Sequence, residues 1–135
     1  MRVVPDTNVL VSAIVFGGPP ARIVALAAEG VLQLVLSPAL IDELRNVLRR
    51  KFGFSDDAVY QAETILRRVS VVVEPQREVA VISEDPEDNR ILEAALAGGA
   101  EVIVSGDRHL RKLKMFGAIP ILNPRQLLDR IISGP

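Results

Sequence analysis

The chain has 135 residues, 49 % of them hydrophobic and 24 % charged, with a net charge of −1, a composition that fits one globular domain around a single core and excludes a disordered chain. It contains no cysteine, which excludes disulfides, thiolate metal sites and cysteine nucleophiles. No apolar run nears the roughly 20 residues of a membrane span, and the start shows no small-residue cleavage site, so a cytoplasmic protein is expected.

A first strand is expected at Arg2–Val4. Pro5, Asp6, Thr7 and Asn8 then interrupt the apolar run, which resumes at once. PPARIVALAAEG has helical spacing and closes at Gly30, a glycine suited to ending a helix. Val31–Leu36 reads as the second strand, and Ser37 followed by Pro38 reads as an N-cap and first helical residue opening ALIDELRNVLRR. Ser55 caps a helix over DDAVYQAETILRRV, and Val71–Val73 forms a third strand. Asp85 and Pro86 open the helix EDNRILEAALAGG. Strands follow at Glu101–Val104 and Ile119–Leu122, and Asn123-Pro124 begins a last helix running through Ile132. Five short apolar strands alternating with helices imply an α/β fold over residues 1–135, its sheet mainly parallel and helices on both faces.

In such sheets ligands bind beyond the carboxyl ends of the strands. Asp6 lies just past the first strand and Asp107, in VIVSGD, just past the fourth. Both face one rim if those strands are neighbours. Helical phase adds two more acids. Glu43 falls on the shoulder of its helix's buried face, beside Val47, whereas Asp42 points to solvent. Asp88 falls at the centre of the apolar face made by Ile91, Leu92, Ala95 and Leu96, with Glu87 and Glu93 pointing away.

Each acid alone also fits a structural role. Asp6 suits a turn, Glu43 a solvated shoulder, Asp107 a helix cap, and Asp85 with Asp88 imitates a capping box. Phase favours Asp88 over Asp85 for chemistry, because a charge facing the core must find partners or shift its pKa. Four carboxylates about 5 Å apart repel by roughly 3 kcal/mol per pair at an effective dielectric near 20. A hard divalent cation, Mg²⁺ or Mn²⁺, reverses that sign.

DTNVL at Asp6, SPALIDEL with Glu43, DPEDNRILEAALAGGA with Asp88, and VIVSGDRHL with Ser105 and Asp107 together resemble the PIN-domain family, and within it the VapC-like toxin type. The resemblance covers nearly the whole chain. It implies a Rossmann-like three-layer sandwich with a five-stranded sheet in the order 3-2-1-4-5. It also implies a Mg²⁺- or Mn²⁺-dependent endoribonuclease whose metal and catalytic residues are Asp6, Glu43, Asp88 and Asp107. Thr7, Asn8 and Ser105 match positions that orient the acids or the water. Homodimers, a protein antitoxin and an RNA substrate are the implied partners. One departure is Pro5, which stands where an aliphatic residue is usual and removes a backbone donor from a strand expected to be central.

A single histidine, His109, excludes a paired-histidine ribonuclease mechanism within one chain. His109 itself is expected on an exposed helix. Thirteen of the 16 basic residues are Arg, which suits phosphate recognition. Arg50 shares a helix side with Glu43, and Arg108 follows Asp107 directly; both are candidate substrate contacts, with Arg111, Lys112 and Lys114 beside the latter. Stacking surfaces are restricted to Phe16, Phe52, Phe54, Tyr60 and Phe116. No phosphate-cradling glycine motif is present, and a haloacid-dehalogenase reading fails because Asn8 stands where a second Asp is required. A catalytically degenerate PIN-like module that binds RNA or a protein partner is the remaining alternative.

Overall fold

The computed structural model describes residues 1–76, 78 and 88–134, with the side chains of Asp88 and His109 outside that description. Asp85 and Glu87, named above, also lie outside it. Among the described residues the elements are β1 (Arg2–Pro5), α1 (Thr7–Val15), α2 (Gly18–Ala28), β2 (Gln33–Leu36), α3 (Pro38–Phe52), α4 (Asp56–Arg68), β3 (Ser70–Val72), α5 (Asp88–Gly98), β4 (Val102–Val104), α6 (Arg108–Leu113), β5 (Met115–Phe116), β6 (Ile119–Leu122) and α7 (Pro124–Ser133). The sheet order is β3-β2-β1-β4-β6-β5, with every pairing parallel except β5–β6. The expected order of five parallel strands is therefore present. The addition is β5, a two-residue edge strand turned back at Gly117, whose φ of 59° favours glycine.

Alternation along the strands divides the core between the two faces of the sheet. Val4, Val35, Ile103 and Ile121 pack beneath α5 and α6. Val3, Leu34, Val102 and Val104 pack beneath α1, α2 and α7. A third cluster joins Leu10 and Val11 of α1 to Ile41, Leu44 and Leu48 of α3 and Val59 and Leu66 of α4. Helices thus cover both faces, while α3 and α4 lean on α1 beyond the end of β2.

The caps read from sequence are in place: Ser37, Ser55 and Asn123 each accept from a backbone N–H three residues on, and Asn123 closes a full capping box with Gln126. Helix α1 was not legible in the same way. Its residues Val9, Leu10 and Val11 are all buried, so the segment lacks an amphipathic period and reads as the continuation of an apolar strand. Gly17 and Gly18, at φ 83° and 68°, turn the chain so that α1 and α2 meet at 95°. Among the described residues no single helix is long and apolar enough to cross a membrane.

The expected phase of α5 needs one correction. Ile91, Leu92 and Ala95 are buried as expected, but Glu93 is also buried and Leu96 is 50 % exposed. Helix α5 packs against β1, β2, β4 and α3 at once, so it is enclosed on more than one side. The Glu93 charge is offset by Arg90, whose Nε lies 3.0 Å from Oε1. Gly98 sits at the C-terminal end of α5, where a Cβ would run into Cγ1 of Val35 in β2. Its lack of a side chain sets how closely α5 lies on the sheet.

Arg45 of α3 holds α4 by a forked pair on Glu63, its Nη2 donating to Oε2 at 2.8 Å, while Arg67 donates to the same carboxylate at 2.8 Å. The hydrogen bond from Arg45, ahead of the partial burial that opposes it, pulls the Glu63 carboxyl down to about 2.

Two outcomes are expected. Gly98→Ala should lower unfolding free energy by about 1–3 kcal/mol in denaturant melts, because the added methyl overpacks the α5–β2 contact. Glu63→Gln should cost about 2 kcal/mol at pH 7. A depressed acid pKa contributes stability above the unfolded value of 4.5 and loses it as pH falls toward 2. The gap between wild type and variant should therefore close across that window in acid melts.

Candidate active site

Strands β1 and β4 are parallel neighbours, with Pro5 in register with Val104. The chain leaves β1 toward β2 and later returns to β4 on the other side, so the strand order reverses between β1 and β4. That reversal is where open α/β sheets form a crevice. Asp6 immediately follows β1, and Ser105, Gly106 and Asp107 follow β4.

The Asp6 N–H extends the ladder by one bond, donating to the Val104 carbonyl at 2.9 Å. Alternation then turns the Pro5 backbone toward β2, where the register with β1 ends at Val3 and Leu34. Proline is tolerated in this central strand because it sits where that ladder stops.

The Asp6 side chain is 3 % exposed. Its Oδ1 accepts from the Val9 N–H at 2.8 Å, capping α1, and its Oδ2 accepts from the Ser105 hydroxyl. The Ser105 Oγ in turn accepts the Asp107 N–H at 2.9 Å. One buried serine thus links two acids a hundred residues apart in sequence. Asp6 fills the helix-capping role that its sequence position allowed, and through its second oxygen it also takes part in the strand-end cluster.

Burial raises the Asp6 carboxyl to about 6; the nearby negative charge of Asp107 adds to the rise, and the bonds from Ser105, Val9 and Gly106 oppose it. Asp107 is half-buried at the start of α6, its carbonyl accepting the Arg111 N–H at 3.0 Å. Thr7 is buried, and its hydroxyl has no hydrogen-bond partner among the described residues. Asn8 is exposed on the first turn of α1.

Glu43 stands half-buried on the second turn of α3. Helix α3 begins at Ser37, just beyond the carboxyl end of β2. Asp88 is the first residue of α5. Because α5 returns the chain to the start of β4, its first turn lies at the carboxyl rim of the sheet. The backbone positions of Asp6, Glu43, Asp88 and Asp107 are therefore distributed around that end of the molecule. The described side chains bring Asp6 and Asp107 together; among the described residues no group of three or more acids or histidines is close enough to share an ion.

The Asp6–Asp107 pair suits a hard divalent cation. Both donors are carboxylate oxygens, the preferred ligands of Mg²⁺ and Mn²⁺. The negative charge of Asp107 already disfavours an ionised Asp6, and the three hydrogen bonds that the Asp6 carboxylate accepts leave one of its lone pairs over. Asn89, one residue after Asp88, is 3 % exposed. It was not singled out from sequence, where an amide next to an acid carries no signal without its burial. Arg50 and Arg108 are exposed. Of the aromatic candidates, Phe16 is 73 % and Tyr60 71 % exposed, and Phe16 meets Phe52 edge-on with ring centroids 5.8 Å apart.

A family model described as PIN domain matches residues 2–109. No curated protein matches the chain. Among solved structures, a chain in the crystal structure of VapBC2 from Rickettsia felis bound to a DNA fragment from their promoter superposes with a TM-score of 0.66. It is 14 % identical and the alignment covers 91 % of this chain and 98 % of that chain, a likeness of fold.

A pH dependence follows from Asp6. In chelator, the folded chain keeps its proton up to about 6, whereas the unfolded chain releases it near 3.8. Stability should therefore fall as pH rises through that interval, by about 3 kcal/mol in total. Asp6→Asn should abolish this component, so denaturant melts from pH 4 to pH 7 should show the variant gaining on wild type.

Proposed function

Because the chain belongs to the PIN-domain family, we propose that it is a metal-dependent endoribonuclease and the toxin of a toxin–antitoxin pair. The observation that carries the reading is the buried Asp6 carboxylate at the end of β1, linked through Ser105 to Asp107 at the end of β4. A capping aspartate needs only the Val9 bond; the second link serves a site. The ion-holding residues in this reading are Asp6, Glu43, Asp88 and Asp107, and the ion is Mg²⁺ or Mn²⁺. Bound there, it supplies charge neutralisation at a phosphodiester and a lowered water pKa.

The protein's own part is positioning. The Val9 N–H and the Ser105 hydroxyl hold both Asp6 oxygens, so the carboxylate does not swing when charge arrives beside it. The same serine fixes the backbone of Asp107. Arg108, on the residue after Asp107, and Arg50, two turns along α3 from Glu43, are exposed and suited to hold phosphates of a single strand. The Thr7 hydroxyl, without a partner among the described residues, leaves one buried hydrogen-bonding group next to Asp6 for a bound water. The VapBC2 structure is of a complex bound to a DNA fragment from their promoter, and the likeness of fold supports an antitoxin as the regulatory partner here. A homodimer and a cytoplasmic setting complete the reading.

The test is cleavage of an RNA panel in Mn²⁺ and in chelator. Wild type should cut only with metal, leaving 5′-phosphate ends, and should gain thermal stability from Mn²⁺. Asp6→Asn and Asp88→Asn should lose both responses, and Ser105→Ala should weaken them by about 10- to 100-fold. RNA binding without cleavage or metal response would instead identify a degenerate binding module.

A further inference from the structure

Helices α1 and α3 begin at neighbouring strands, one after β1 and the other after β2, and they end at two rings in contact, Phe16 and Phe52. Asp6 caps the start of α1, and Glu43 stands on the second turn of α3. Each helix therefore has a candidate acid toward one end and an aromatic ring at the other. Helix α1 is 9 residues long, which puts its ring about 14 Å along the helix from its acid. Phe52 is half-buried against the third core cluster, and Phe16 meets it edge-on with ring centroids 5.8 Å apart. An edge-on neighbour covers at most one face of a ring. Phe16 is 73 % exposed, so a face of it stays open to solvent.

The last turn of α3 is basic, with Arg49, Arg50 and Lys51 preceding Phe52. Arg49 is engaged by Asp56 at the start of α4, its Nε 3.0 Å from Oδ1. Arg50 and Lys51 are exposed, and among the described residues neither forms an ion pair. Successive residues stand about 100° apart around a helix axis. Arg50 thus falls on the side of α3 that carries Glu43, Phe52 falls on the far side, and Lys51 lies between them. Two uncompensated cations lead from an acid of the candidate site to the aromatic pair.

We propose that Phe16 is a stacking platform for one unpaired base of a single-stranded RNA, with Arg50 and Lys51 holding the phosphates between the acids and the ring. The proposal rests on the reading of RNA as substrate and names its form, a strand whose bases are free to splay. Stacking needs a ring that is held in place and has an open face. Phe52 holds the ring, and its exposure leaves the face. Unpaired positive charge beside an exposed aromatic matches the alternation of phosphate and base along a strand. A duplex does not fit, because its base faces are already stacked.

The test reads binding by fluorescence anisotropy in chelator, so that nothing is cut. The probes are a short labelled single-stranded RNA and the same strand with every base removed. Wild type should bind the intact strand about tenfold more tightly than the abasic one. Phe16→Ala should bind the intact strand about tenfold more weakly than wild type and discriminate little between the two, because the stack is already lost. Phe16→Tyr should restore affinity and discrimination, whereas Phe16→Leu, apolar but without a π face, should restore neither. Arg50→Ala and Lys51→Ala should keep the discrimination, and each should lower the slope of log affinity against log salt by about 0.7. A wild type that binds no RNA, one that binds both strands equally, or a Phe16→Ala variant that behaves as wild type would each overturn the proposal and leave the ring to a protein partner. Base-dependent binding through Phe16 upholds the platform whether or not Mn²⁺ brings cleavage, which separates its failure from that of the nuclease reading.

Discussion

The link between Asp6 and Ser105 is the constraint on which the candidate site depends. It joins the carboxyl ends of β1 and β4, which are adjacent in the sheet and far apart in the chain. An ionised carboxylate in a nearly dry position is costly unless hydrogen bonds meet it. The Val9 N–H and the Ser105 hydroxyl do so for one oxygen each. The opposition is visible in the titration: burial wins, and the carboxyl is lifted to about 6 despite the bonds that favour its charge. A site left in that state is poised to gain from a cation, because the cost of burying the charge has already been met by folding.

Packing elsewhere serves this arrangement. The β1–β2 register ends at Val3 and Leu34, so the backbone at Pro5 is free of β2 and the chain enters α1 where the carboxylate is needed. The apolar sandwich then fixes the helices that carry the other acids. Helix α5 lies close on β2 because Gly98 has no side chain to hold it off. Helix α3 is fixed through Leu40, Leu44 and Leu48 on one side and by the Arg45–Glu63 fork to α4 on the other. Glu43 and Asp88 thus ride on helices whose position is set by buried contacts rather than by loops, which is the more exact way to place a charged group.

The same helices show why surface and site separate. Helix α4 contributes nothing to the sheet rim, and its inward side is consumed by the third core cluster and the Glu63 fork. Its outward side retains Tyr60, Ile65 and two charges of opposite sign without partners among the described residues.

Much of the molecule was legible in the sequence because the relevant physics is local. Caps at Ser37, Ser55 and Asn123 were readable from one hydroxyl or amide placed before a helical run, as were the apolar strands. The acids Asp6 and Asp107 were legible as strand-end residues, and the four motifs together already resembled the family whose model matches residues 2–109. Helix α1 was not, since burial on several sides erases the period that distinguishes helix from strand. The burial of Glu93 was not, since it depends on what surrounds α5 rather than on the helix itself. Sequence alone therefore determined the order of the elements and which of them carry the candidate acids. Only the tertiary structure decided that Asp6 and Asp107 share one serine, and that Glu93 is buried while Tyr60 and Ile65 are not, because these are relations between segments brought together by burial of the core.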